Sequence, residues 1–165
     1  MVNHTLSFSI ITPSYNQANY LPLNLESVVK QTYPYVEHLI YDPGSTDGSI
    51  DLARDHAQRH KQVKFYNEPD RGQVHAINKG LAVATGDILT WLNSDDYYID
   101  DSVLADVAQY FEEYPDIDVV YGRGYYIGSD GSILRDAFVH KAGNDFQLSL
   151  QHSIGIIQPS LFFRR

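Results

Sequence analysis

The sequence predicts an α/β fold, a three-layer α/β/α sandwich with a mostly parallel central sheet. Short β-prone runs alternate with segments of helical periodicity as far as Tyr114, the pattern of successive βαβ units. Each of the first four runs stops abruptly in a polar loop. Right-handed crossovers place all four loops along one edge of a parallel sheet. The 165 residues suffice for one domain with one substantial core.

Phe8–Thr12 reads as the first strand, stopped by Pro13 and followed by the polar turn Ser14-Tyr15-Asn16-Gln17. A helix over 19–31 carries Leu21, Leu25, Val28 and Val29 on one face. Thr32-Tyr33-Pro34 ends it, because proline has no N–H to continue the ladder. The second strand, 36–41, runs into Asp42-Pro43-Gly44-Ser45-Thr46-Asp47-Gly48, and the helix over 49–60 is expected to bury Ile50, Ala53 and Ala57. A short third strand, 63–66, leads through the polar loop 67–72 to a helix over 73–84, with Val74, Ile77, Leu81 and Ala84 inward. The fourth strand, 88–92, is closed by Asn93-Ser94-Asp95-Asp96, and a helix over 102–114 follows.

Beyond Pro115 the pattern changes. Residues 118–121 read as a fifth strand, and 125–134 as a hairpin turning at Ser129-Asp130-Gly131. Residues 137–154 read as loop with at most one helical turn, and 158–163 as a last strand. An apolar strand running straight into Arg164-Arg165 is read as a truncation of a longer domain.

The composition narrows the function. No cysteine is present, which excludes disulfide and thiolate chemistry and suits a cytosolic protein. No segment has the length or apolarity of a transmembrane span, and the first residues do not form a signal peptide. The formal net charge of −9, with no stripe of Lys or Arg, argues against a nucleic-acid partner. An anionic ligand would need a metal ion or a few placed cations to offset this field.

Ligands of open α/β sheets sit outside the carboxyl ends of the strands, where Asp95 and Asp96 fall. Two adjacent carboxylates there suit Mg²⁺ or Mn²⁺, which one or two carboxylates and substrate phosphates typically hold. Capping of the next helix is the plain alternative. Gly72 belongs to no GxGxxG element and the 44–48 loop lacks the lysine of a P-loop, so neither of those nucleotide motifs applies. The rim instead offers Tyr15 to lie against a flat base and Asp42 to accept from a base N–H or from ribose. Arg71 can reach a base oxygen or a phosphate, and Asp96 can hold a cation bridging two phosphates. Together these suit a nucleoside diphosphate.

The segments SIITPSYNQANYL, ESVVKQTYP, YDPGSTDGS, NEPDRGQVHAINKGLAVATGD and LTWLNSDDYY resemble, in order and spacing, the nucleotide-sugar half of family 2 glycosyltransferases, which adopt the GT-A fold. The resemblance is specific over 8–101 and weaker beyond, where QPSLFFRR is similar to the strand before the family's acceptor helix. It implies one domain over 1–165, a nucleotide-sugar half at 1–101 and the start of an acceptor half at 102–165. It also implies that Thr12, Pro13 and Tyr15 line the base pocket, that Asp42 accepts from the base and that Arg71 helps close the nucleotide. Asp95 would lie by the ribose or donor sugar, and Asp96 would be the metal ligand of the DxD-type motif. Here that motif is Ser94-Asp95-Asp96, with serine replacing its first acid, and Asp42-Pro43-Gly44 departs from the commoner Asp-Asp-Gly or Asp-Gly-Gly.

The implied activity is inverting, metal-dependent transfer of a sugar from a nucleotide-diphosphate donor, with UDP the expected nucleotide, to a glycan or lipid-linked acceptor. The implied base lies beyond Arg165, and Asp136 and Asp145 are the nearest acids that precede it. The implied setting is cell-surface glycan synthesis at the cytosolic side, with membrane association through regions outside this chain. Two rivals stand beside this reading. One is a non-catalytic nucleotide-sugar-binding or scaffolding module. The other is a sugar nucleotidyltransferase, which would need a Gly-rich loop with Lys or Arg after the first strand, and 12–17 has neither.

Some residues have simpler readings. Asp42 and Asp47 also suit a turn built with Gly44 and Gly48. His56 and His60, four apart with no third ligand, read as a solvated helix face. Trp91 reads as core. Most tyrosines read as half-buried packing, with only Tyr15, Tyr97 and Tyr98 placed near the site.

Overall fold

The computed structural model describes residues 5–137 and 156–165. Strands β1 (Phe8–Pro13), β2 (Val36–Asp42), β3 (Val63–Asn67) and β4 (Ile88–Trp91) alternate with helices α1 (Leu21–Val29), α2 (Ser49–Arg59), α3 (Gln73–Val83) and α4 (Val103–Glu113). β5 (Val119–Tyr121), β6 (Tyr125–Ile127), β7 (Ile133–Asp136) and β8 (Leu161–Arg164) follow, with a single 3₁₀ turn, Gln158–Ser160, before the last. The main sheet has the order β3-β2-β1-β4-β8-β5, and β6 and β7 form a separate hairpin. β1 pairs in parallel with β2 and β4, and β2 pairs in parallel with β3. β8 runs antiparallel between β4 and β5. The expected three-layer, mostly parallel α/β architecture is the one observed.

Burial explains the element types. All six residues of β1 are buried, as a central strand covered on both faces requires. Phe8 and Ile10 face one side, where Val28 of α1 and Leu104, Val107 and Phe111 of α4 close a cluster with Phe162 of β8. Ile11 faces the other side, against Leu39, Leu89 and Ala76 of α3. Leu21 and Leu25 of α1 meet Ala53 of α2 over Ile40 and Val63. At full burial each such side chain contributes roughly 1.5–3 kcal/mol by transfer out of water.

Three expectations change. Val74 is exposed, so the inward face of α3 is set by Ala76, Gly80 and Ala84. Gly80 lets α3 approach β1 closely, because a Cβ there would lie 2.6 Å from the Ile11 side chain. His56 is buried, since Ser49, Ala53 and His56 lie along the stripe of α2 that packs inward. Burial, followed by the neighbouring His60, holds its imidazole down to about 4. The final strand starts only at Leu161, because Pro159 sits in the 3₁₀ turn. The 125–134 hairpin is present and turns where expected, with Gly128 N donating to Ser132 O at 2.8 Å. The reading of 137–154 falls almost entirely, and Asp145 wholly, outside the described residues. Among those described, no helix is long and apolar enough to cross a membrane.

Candidate active site

Four loops meet at the carboxyl ends of β1 to β4, and each is held by its own short-range chemistry. After β1, Asn16 takes a left-handed conformation (φ 53°), which asparagine tolerates better than most residues. Its N–H donates to Ser45 Oγ at 2.7 Å, and its Oδ1 accepts from Thr46 N at 2.9 Å. Asp47 Oδ2 accepts from Ala18 N at 2.8 Å, so the first two loops are tied together.

The loop after β2 folds back on Asp42. Oδ1 accepts from Gly44 N and Ser45 N at 2.9 and 2.7 Å, and Oδ2 accepts from Ser45 Oγ at 2.6 Å. Asp42 is buried, so its carboxylate builds this turn, the simpler of its two sequence readings. In the third loop Asp70 Oδ1 accepts from Gly72 N at 2.8 Å, and His75 Nδ1 accepts from Arg71 N at 3.0 Å. Gly72 has φ 106°, a conformation that side chains resist. Lys79 donates to Glu68 Oε1 and Pro69 O, which anchors this loop from α3.

The fourth loop is a turn closed by Asp96 N donating to Asn93 O at 2.9 Å. Asn93 organises it further. Its Oδ1 accepts from Gln73 Nε2 at 2.7 Å, and its Nδ2 donates to Gln158 Oε1 at 2.8 Å and Asp96 Oδ2 at 3.2 Å. Helix α1 grips the same segment from beneath. Asn24 Nδ2 donates to Asn93 O and Asp96 O, and Ser27 Oγ accepts from Tyr98 N. Gln31 Nε2 donates to Asp100 O, and its Oε1 accepts from Leu104 N.

Between these loops lies an open cleft of about 620 Å³. Pro13, Ser14, Tyr15 and Gln17 line one side, Pro43, Gly44, Asp70, Gly72, Gln73 and Ala76 another, and Asn93, Ser94 and Asp95 the floor end. Its wall carries two carboxylates and no lysine or arginine. Ser14 Oγ and Gln17 Oε1 are buried with no partner among the described residues, an arrangement that suits a polar ligand.

Of the residues singled out from sequence, Pro13, Tyr15 and Asp95 line this cleft. Thr12 does not. It alternates onto the α1 face of β1 with Phe8 and Ile10, is fully buried, and bonds His38 Nε2 at 2.8 Å. Arg71 is exposed and lies outside the cleft lining; Asp42 also lies outside it, but is buried. Asp96 turns the other way, into a smaller cavity of about 110 Å³ with Tyr97, Tyr98, Ile99, Tyr125, Ile157 and Pro159 among its walls. Burial, then the neighbouring Asp95, raises its carboxyl to about 6 against the opposing bond from Asn93. Of the two adjacent aspartates, the one presented to the cleft is therefore Asp95. Asp136 is exposed at the end of β7 and lines neither cavity. Ser14, Gln17, Asp70, Gln73 and Asn93 were not singled out as individual residues, although their loops were. For Ser14, Gln17, Asp70 and Asn93 the only sequence signal is position in a loop after a strand, and for Gln73 position at the start of α3.

The model of the family described as Glycosyl transferase family 2 matches residues 9–165. The chain belongs to that family. A PGL/p-HBAD biosynthesis glycosyltransferase of Mycobacterium tuberculosis is 37% identical over 160 residues, covering 96% of this chain and 59% of that protein. Glycosyltransferase GlyG of Streptococcus pneumoniae is 32% identical over 140 residues, covering 84% and 44%. This family 2 chain thus spans less than two thirds of either relative's length. Among solved structures, S. aureus TarS 1-349 in complex with UDP-GlcNAc aligns with a TM-score of 0.75 at 23% identity, covering 96% of this chain and 45% of that one. A mannosyltransferase from Pyrobaculum calidifontis, in complex with GDP-Man and Mn²⁺, aligns with a TM-score of 0.70 at 23% identity, covering 99% and 46%. Both share the GT-A fold with this family 2 chain.

Proposed function

We propose that the protein is a glycosyltransferase that takes its sugar from a nucleotide-diphosphate donor bound in the cleft. The observation that carries this is the cleft itself, in a family 2 chain: polar and acidic, at the carboxyl ends of the strands, with an exposed aromatic at its lip. The Tyr15 ring, 60% exposed, offers a face for a base, and Ser14 and Gln17 offer unused hydrogen-bonding atoms beside it. UDP is the proposed nucleotide.

A divalent cation fits the donor set. The cleft has carboxylates but no basic side chain, so a diphosphate entering it needs its charge offset. Among the described residues no three His, Cys, Asp or Glu converge, so a hard ion here would be held by one or two carboxylates and by phosphate oxygens. Asp95 is the proposed ligand for Mg²⁺ or Mn²⁺. When bound, the ion supplies Lewis-acid stabilisation of the diphosphate leaving group. The chain's own part is to hold the Asp95 turn rigid, through Asn93 and the side chains of α1, and to keep the donor stacked and oriented. The smaller cavity on the far side of the same turn is the proposed entry for the acceptor hydroxyl, whose attack opposite the leaving group would invert the anomeric centre.

Titration calorimetry of UDP with and without Mn²⁺ tests the reading on wild type and Asp95→Ala. Binding that strengthens with Mn²⁺ and loses at least tenfold in affinity with the substitution supports it. Failure of wild type to bind UDP, GDP and dTDP with or without the ion would sink it.

A further inference from the structure

The Asn93–Asp96 turn is held by one buried side chain that belongs to neither the cleft nor the second cavity. Asn24 of α1 is fully buried, and its Nδ2 donates to the carbonyls of Asn93 at 2.9 Å and of Asp96 at 3.0 Å. These are the first and last residues of the turn, whose own closing bond also ends on Asn93 O. Asp95 lies between the two gripped carbonyls. We infer that Asn24 is a positioning residue for the Asp95 carboxylate, itself oriented by a buried Thr12–His38 pair. The inference rests on the reading of the cleft as the donor site.

The polarity of every bond in this chain follows from chemistry. Two carbonyls can only accept, so the amide nitrogen of Asn24 must face them and Oδ1 must face away. Oδ1 meets Thr12 Oγ1 at 3.3 Å and can only accept from it. Thr12 has one hydroxyl proton, and giving it to Asn24 leaves its oxygen as an acceptor toward His38 Nε2, 2.8 Å away. This polarity assigns the His38 proton to Nε2; Nδ1 has no partner among the described residues, and the other tautomer would bury an unpartnered N–H there. Burial, then the nearby His56, holds the His38 imidazole down to about 3, so the ring is neutral at neutral pH. The relay runs from β2 through β1 and α1 to the end of β4. Removing Asn24 takes this donor from the Asp96 carbonyl, leaves Asn93 O with only the turn's own closing bond, and frees the turn from its clamp to α1.

The test pairs a ligand-free readout with a binding readout. In Asn24→Leu, amide NMR should show the Asp95, Asp96 and Tyr97 resonances displaced and exchanging faster, with those of α4 unchanged. At a temperature where the variant is fully folded, Mn²⁺-dependent UDP binding should weaken about tenfold, while metal-free UDP binding stays within twofold of wild type. Wild-type ¹⁵N spectra should show His38 as the Nε2–H tautomer, and Thr12→Val should perturb that nitrogen and weaken Mn²⁺–UDP about threefold. Thr12→Val, nearly isosteric, carries the test if Asn24→Leu does not fold. Unchanged turn amides in Asn24→Leu, or unchanged Mn²⁺–UDP affinity in folded variants, would overturn the inference. If wild type binds no nucleotide, the donor-site reading fails, and the turn amides still decide whether Asn24 holds the turn.

Discussion

Adjacent aspartates with opposite surroundings divide the labour at the end of β4. Asp95 is exposed and faces the cleft, whereas Asp96 is partly buried beside aromatic rings with its carboxyl raised to about 6. A raised carboxyl favours the folded state only when protonated. That contribution is complete below the ordinary value of 3.8 and is lost as pH rises through about 6. Asp96→Asn, neutral at every pH, should therefore raise stability at pH 7.5 by about 1 kcal/mol and change it little at pH 3.5. Thermal melts at the two pH values without added cation check this, and an equal shift at both would contradict it. The sequence showed that acids crowd this spot, but it could not show which one faces the cleft. Successive residues in a turn point in different directions, and the choice depends on Asn93 and Asn24, which are distant or polar and look ordinary in one dimension.

Helix α1 was legible as an amphipathic element from Leu21, Leu25 and Val28, all of them buried. Its second function was not. Asn24 and Ser27, with Gln31 just past the helix end, form a polar stripe beside the apolar one, and each bonds the backbone of 93–104. A stripe of amides and hydroxyls reads as a solvated face until its partners, far along the chain, are known. Glu37 in β2 is a similar case. Burial alone would raise its carboxyl, but hydrogen bonds from Ser9, Thr85 and Lys64 outweigh that and hold it at about 2. Those bonds link β1, β3 and the α3–β4 corner through one side chain. Being lowered, Glu37 stabilises the fold above its ordinary value of 4.5, and the contribution fades as pH falls toward 2. Glu37→Gln should destabilise the protein by roughly 1–2 kcal/mol at pH 7 in urea unfolding, with the difference shrinking near pH 3.

At the scale of the molecule, the order of elements was legible because alternating β and α periodicities admit few topologies. The right half of the sheet was less so. The sequence offered β8 as a last strand without its direction or neighbours, yet it lies antiparallel between β4 and β5. Phe162 of β8 is buried against Phe8, with ring centroids 6.3 Å apart, and joins the cluster of α4. Phe162→Ala should cost about 3–5 kcal/mol in unfolding free energy. A loss under 1 kcal/mol would show that β8 is not integral to the core.

The placement of β8 also bears on synthesis. β4 finds its second neighbour in residues about seventy positions later, Thr90 Oγ1 bonding Leu161 O across a separation of 71. While the ribosome works through the intervening residues, one side of β4 is an open edge of unpaired amides, the kind that recruits other chains. The strand that leads into the aspartates thus waits, with β5, for β8 before the sheet is closed. A nascent chain held before Leu161 should need chaperone cover that one extended through β8 does not.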